Sequence, residues 1–349
     1  MNSDLDQSLH AQRNRIMAMW LFIVAAMVFA MVVLGGVTRL SHSGLSMVEW
    51  RPLTGWLPPF DDVTWRQLFD KYQGFPEFKK KNADMMLSGF KGIFWLEFLH
   101  RLWGRVIGVV FFLPFVFFLA RGWVNRAMAV RFGIMFVVGG LQGVLGWYMV
   151  KSGLVDRPDV SQYRLAAHLT LALVIYAYLL WVGLGLWRNA EFTAARPQLT
   201  GWAAGLVVLI FVTAFSGALV AGLDAGLVYN TFPLMDGVLI PDGMFEMSPT
   251  YINLFENIMT VQFDHRVLAE TTFLAVVALW LYGRRLDAVG GLARALNGLA
   301  LVIVLQVTLG ILTLLLVVPI TLAIAHQAGA VVLLGVAVWV LRESMPTRK

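Results

Sequence analysis

Long apolar runs, each about twenty residues or more and separated by short polar segments, set the pattern of this chain. Eight can be marked, near residues 16–37, 92–120, 128–150, 163–187, 202–221, 257–282, 296–317 and 320–341. A helix of roughly 20 apolar residues crosses about 30 Å of hydrocarbon. The pattern therefore predicts an all-α polytopic membrane protein with eight transmembrane helices. The connections after the second, fourth and sixth runs carry Arg121, Arg126 and Arg131, then Arg188 and Arg196, then Arg284, Arg285 and Arg294. Residues 222–257 instead hold Asp224, Asp236, Asp242, Glu246 and Glu256 without a Lys or Arg. Cationic loops remain cytoplasmic, so both termini are expected in the cytoplasm and the acidic loop outside.

Composition narrows the chemistry. A mean hydropathy of +0.72, with 59% hydrophobic and 14% charged residues among 349, excludes an ordinary soluble domain. The absence of cysteine removes disulfides, thiolate metal sites and thiol relays, which leaves histidine for any nitrogen ligation. The net charge of +6 reflects arginines on the cytoplasmic side and gives no reason to expect nucleic acid. Residues 1–15 include Asp4 and Asp6 and fit neither an arginine-rich transit peptide nor a cleavable signal. They read as a cytoplasmic tail, and a bacterial plasma (inner) membrane is the expected location. The long outer loop, residues 38–91, contains Trp50, Trp56, Phe60, Trp65, Phe69 and Tyr72. It is either an ordered, partly helical cap or an aromatic belt at the membrane interface.

The chain also repeats itself. Gln142, in Leu141-Gln142-Gly143-Val144-Leu145-Gly146, follows His100 by 42 residues and precedes His168 by 26. In the second half Gln306, in Leu305-Gln306-Val307-Thr308-Leu309-Gly310, follows His265 by 41 and precedes His326 by 20. A weaker echo links Trp50-Arg51-Pro52-Leu53-Thr54-Gly55 with Thr231-Phe232-Pro233-Leu234-Met235-Asp236-Gly237. Four helices per half give the halves one orientation, related by an axis along the membrane normal. The expected organisation is two pseudo-symmetric four-helix bundles, residues 16–190 and 191–349.

His100, His168, His265 and His326 fall in apolar runs, near the outer ends of the second, fourth, sixth and eighth helices. His10 and His42 read as surface residues. Ionisable groups inside a membrane are costly and mark function, and bundle cores ligate metals and cofactors from facing helices. Two imidazoles per bundle, with no further protein ligand, match axial ligation of heme iron better than a zinc site. The alternative for any one of these histidines is a hydrogen-bonded packing role.

Arg101 and Arg266 each follow a histidine, and either pair with a heme propionate or reach the lipid headgroups. Gln142 and Gln306 either orient ligands or tie helices together. One position breaks the repeat: Glu97, one turn outward from His100, is matched by Gln262 before His265. A carboxylate beside one heme can exchange a proton during an oxidation where an amide cannot. The first half is then the reacting half, and the second holds a heme for structure or electron delivery. The alternative for Glu97 is an ion pair with Arg101.

Gly35 through Pro52 is similar to the exit from the first helix in the heme A synthase family, in its cysteine-free proteobacterial and mitochondrial branch. Glu97 through Arg105 is similar to that family's glutamate and first histidine motif. Ala166-Ala167-His168, Phe263-Asp264-His265-Arg266 and Ala325-His326-Gln327 resemble the rest of the set. The resemblance covers nearly the whole chain after residue 15. It implies an oxidoreductase that converts the C8 methyl group of heme O to a formyl group, through successive hydroxylations to a geminal diol that loses water. The product is heme A for cytochrome c oxidase.

By the same resemblance His100 and His168 hold the substrate or product heme, with Glu97 at the reacting edge, and His265 and His326 hold heme b. Implied partners are heme O, heme O synthase, cytochrome c oxidase assembly proteins, an electron donor and membrane lipid, with homo-oligomerisation left open. The rival classes are a di-heme cytochrome b that carries electrons and a heme transporter or chaperone. Four histidines near the outer, periplasmic face disfavour the first, and the second does not require Glu97.

Overall fold

The structure, a computed structural model, describes residues 2–49, 54–153, 160–188 and 196–346. Trp50 to Leu53, part of the weaker loop echo, lie outside the described residues. Among those described, eight helices are long and apolar enough to cross a membrane. They are α1 (Asn2–Leu40), α4 (Leu87–Ala120), α5 (Arg126–Gly153), α6 (Gln162–Trp187), α7 (Pro197–Gly222), α9 (Ile258–Arg285), α10 (Gly290–Leu315) and α11 (Ile320–Ser344). Three shorter helices, α2 (Asp62–Gln73), α3 (Pro76–Lys81) and α8 (Asn253–Glu256), lie in the connections after α1 and α7. The protein is an all-α multi-pass membrane protein.

Each apolar run expected from sequence lies on one of the eight long helices, which often extend into flanking polar residues. The largest extension is in α1, where polar residues ahead of Ile16 continue the helix back to Asn2. A helix backbone satisfies its own hydrogen bonds, so nothing requires it to stop where hydrocarbon ends. Local chemistry fixes several ends. Asn257 caps α9 by accepting from the backbone N–H groups of Met259 and Thr260, and Asp61 caps α2 by accepting from Thr64 at 2.8 Å.

The chain forms two compact units, one of Met1–Phe29 with Leu169–Lys349 and the other Ala30–His168. In the larger unit α7 packs on α9, α9 on α10, α10 on α11, and α11 returns to α7, closing a four-helix ring. Leu206, Ile210, Val276, Leu299, Ile303 and Leu334 fill it. At one end of this bundle the Arg188 guanidinium lies 3.8 Å from the Glu343 carboxylate and donates to the Arg342 carbonyl.

In the smaller unit the long connection after α1 is an ordered cap. Trp65 of α2 meets Phe94 of α4 edge-on at 4.9 Å between ring centroids, and Tyr72 lies 5.2 Å from Phe90. These rings and Phe98 are buried together, with Met47 and Val48 packed against them. The Tyr72 hydroxyl donates to Glu77 at 3.2 Å and accepts from Asn82 at 2.7 Å. Burial, followed by the nearby Glu77 carboxylate, pushes this phenol well above its ordinary pKa, so it remains a neutral donor.

The aromatic cluster holds the cap to α4. Truncating a large buried aromatic typically costs about 3–5 kcal/mol. Trp65→Ala is therefore expected to release α2, seen as faster proteolysis within residues 54–86 and a lower unfolding temperature. Unchanged cleavage would show that the cap is held by something other than these rings.

Candidate functional site

The four intramembrane histidines share one local device. In the smaller unit the His100 ring lies against Gly35 of α1, and a methyl group built on that glycine would sit 3.1 Å from Cε1. His168 lies in the same way against Gly146 of α5, also 3.1 Å from such a methyl. In the larger unit His265 faces Gly217 of α7 at 2.9 Å, and His326 faces Gly310 of α10 at 2.8 Å. Each histidine comes from one span and each glycine from near the end of the preceding span. Glycine in a helix interior costs about 1 kcal/mol relative to alanine, and here it provides room for an imidazole against the neighbouring backbone.

Within the larger unit the pair is held firmly. The Ser216 hydroxyl lies 2.8 Å from both the Thr213 carbonyl and Nδ1 of His265. A hydroxyl has one proton, and a carbonyl can only accept. Ser216 therefore donates to Thr213 and accepts from Nδ1–H of His265, which leaves the Nε2 lone pair available. Gln306 Nε2 spans the His326 carbonyl at 3.0 Å and its Nδ1 at 3.2 Å.

The His265 and His326 rings stand 6.5 Å apart between centroids, with planes at 88°. With metal–nitrogen bonds of about 2.0 Å, rings at this separation are close enough to share one ion. Among the described residues no three His, Asp or Glu gather as a metal site, so a metal held here needs its remaining ligands from elsewhere, as a porphyrin provides.

The smaller unit holds its pair more loosely. Nδ1 of His100 and Nδ1 of His168 are both buried without a hydrogen-bond partner. The Leu34 carbonyl lies beside the His100 ring but already accepts from Thr38 Oγ1 at 2.8 Å. Gln142 Nε2 donates to the His168 carbonyl at 3.0 Å, as Gln306 does to His326, but stands 3.4 Å from Nε2 of that ring rather than from Nδ1.

One turn before each leading histidine begins a second repeated device. Glu97, 3% exposed, accepts from Ser46 Oγ and the Met47 N–H, both at 2.7 Å, and pairs with Arg101 at 2.5 Å. The ion pair open as an alternative from sequence is therefore present. Arg101 also donates to the Met47 and Glu49 carbonyls at 2.9 and 3.0 Å. In the larger unit Arg266 donates to the Tyr229 and Thr231 carbonyls at 2.8 and 2.9 Å, again two residues apart. Gln262, in place of Glu97, donates to the Tyr229 carbonyl at 3.1 Å. Both arginines thus clamp the connection following the preceding span. A cavity of about 220 Å³ beside Arg101, lined by Glu49, Trp147 and Lys151, opens next to the first clamp.

Sequence reasoning had singled out all four histidines, both arginines, Glu97, Gln142 and Gln306. It missed the glycines and Ser216, although Gly146 and Gly310 each stand four residues after a glutamine already noted. Small residues at helix contacts were the available signal.

A family described as cytochrome oxidase assembly protein matches residues 18–338. The heme A synthase of Nitrosospira multiformis is 51% identical over 341 residues, 97% of this chain and 95% of that one. That of Paramagnetospirillum magneticum is 48% identical over 347 residues, 98% and 96% of the two chains. A heme A synthase of Arabidopsis thaliana is 46% identical over 338 residues, 93% of this chain and 73% of that one. A match that spans all four histidines, with about half of the residues shared with several relatives, makes this chain a member of the cytochrome oxidase assembly protein family.

Proposed function

We propose that this chain oxidises the C8 methyl group of heme O to the formyl group of heme A. Close relatives across nearly the full length bear the name heme A synthase, and each half of the chain carries two histidines on spanning helices, the ligands an iron porphyrin would take. The observation that carries the reading is that the histidine pairs repeat while the carboxylate does not. His100 and His168 seat the substrate heme, and His265 and His326 hold heme b. Bound iron porphyrin supplies the one-electron and oxygen chemistry that an unactivated methyl group requires.

The protein's part is placement and proton handling. Glu97 lies one turn from His100 with its carboxylate buried and oriented by Ser46, Met47 and Arg101. Such a group can accept a proton as the methyl carbon is oxidised. Gln262 cannot do this, which assigns the reaction to the half containing His100. Arg101 and Arg266 act on the hemes through the loops they clamp and through the positive charge they bring to the mouth of each site.

The two halves, residues 16–190 and 191–349, are pseudo-symmetric bundles. Both termini are cytoplasmic, and the four histidines lie towards the outer face of a bacterial plasma membrane. Heme O arrives from heme O synthase, electrons come from a separate donor, and the product is taken up in cytochrome c oxidase assembly.

Glu97→Gln tests the assignment. An amide already stands at the matching position beside Arg266, so the variant is expected to fold and to bind heme. Heme A formation should fall by about 100-fold or more, within the range general acid–base groups contribute. Heme A made by the purified variant at the normal rate would remove Glu97 from the reaction. His265→Ala and His326→Ala are each expected to lose the heme b absorbance, about half of the heme bound to the loaded protein. An unchanged spectrum would refute their assignment as its ligands.

A further inference from the structure

The two histidine pairs are seated unequally, and the difference lies at one residue of each leading helix. Ser216 precedes Gly217, against which His265 packs, and Leu34 precedes Gly35, against which His100 packs. At the first position a buried hydroxyl receives Nδ1–H and fixes the ring with Nε2 bare. At the second an alkyl side chain offers no hydroxyl, and the His100 ring has beside it only the Leu34 backbone carbonyl, which also accepts from Thr38 Oγ1.

We infer that Ser216 is a positioning residue that makes the His265–His326 site one from which heme does not leave, and that Leu34 makes the His100–His168 site one from which it exchanges. The inference rests on the proposed division between a resident and a substrate heme and supplies its physical basis. A ligating imidazole needs its other nitrogen hydrogen-bonded to hold tautomer and orientation, and losing such a partner typically weakens metal binding by about 10–100-fold. A resident heme benefits from that anchor. A substrate that must enter as heme O and depart as heme A is hindered by it, because release of a tightly held product limits turnover.

The test measures transfer of heme from the full, heme-loaded chain to apomyoglobin, one site at a time. His100→Ala/His168→Ala confines heme to the larger unit, and His265→Ala/His326→Ala confines it to the smaller. In the first background Ser216→Ala is expected to accelerate heme loss by about 10–100-fold, to shift the heme midpoint potential, and to alter the low-spin ferric electron paramagnetic resonance spectrum. Ser216→Thr, which keeps the hydroxyl, should restore all three. In the second background Leu34→Ser should slow heme loss by about tenfold.

The inference is overturned if Ser216→Ala leaves the loss rate, potential and spectrum unchanged, or if Ser216→Thr behaves as the alanine variant does. Unchanged loss from folded Leu34→Ser protein overturns its second half. Failure of the underlying reading looks different: His265→Ala/His326→Ala would then retain as much heme as the unsubstituted chain.

Discussion

An imidazole can press this closely on a neighbouring helix backbone only where that helix has no side chain, and the site architecture depends on this constraint. Gly35, Gly146, Gly217 and Gly310 each give up about 1 kcal/mol of helix propensity relative to alanine. Each stands where a methyl group would press on Cε1 of a histidine. With the rings against backbone, the spans approach closely enough for Gln142 and Gln306 to reach the histidine carbonyls at 3.0 Å. Polar groups that would be costly in hydrocarbon are thereby tied to the bundle at fixed positions, as intramembrane polar groups generally are.

The connections at the histidine ends of the spans follow from the same helices. Arg101 and Arg266 each hold two carbonyls two residues apart, so each loop is registered against the helix that carries the leading histidine. In the smaller unit this register is reinforced by the aromatic cap, since Met47 and Val48 pack against the cluster containing Phe98. Glu97 and Gln262 then differ in chemistry while doing similar structural work. Each holds the residue that its arginine also holds, Glu97 by accepting from the Met47 N–H and Gln262 by donating to the Tyr229 carbonyl. The structural requirement at this position is met by an amide, which is why a carboxylate there invites a chemical explanation.

Much of this was legible in the sequence because hydrocarbon imposes a coarse, readable grammar. Eight apolar runs of spanning length gave eight helices, and histidines within such runs stood out against their surroundings. The spacing of Gln142 before His168 and of Gln306 before His326 points to a repeat, and each glutamine reaches the carbonyl of its histidine at 3.0 Å. What stayed hidden depended on direction rather than composition. Ser216 is an unremarked hydroxyl in an apolar helix, and only the approach of His265 gives it meaning. In sequence Arg101 reads as a partner for a propionate or for headgroups; its forked donors also meet loop carbonyls, a contact that no local pattern encodes. The cap is open to two readings in sequence for the same reason: Trp65 and Tyr72 look alike there whether they face lipid or Phe90.

The central claim is that this chain turns heme O into heme A. It is tested most directly by extracting the pigments from membranes that produce heme O, with and without this protein, and separating hemes B, O and A by chromatography. The account predicts heme A only where the protein is present, with a matching decrease in heme O. Heme O persisting unchanged beside folded, heme-loaded protein, with an electron donor and oxygen supplied, would contradict it.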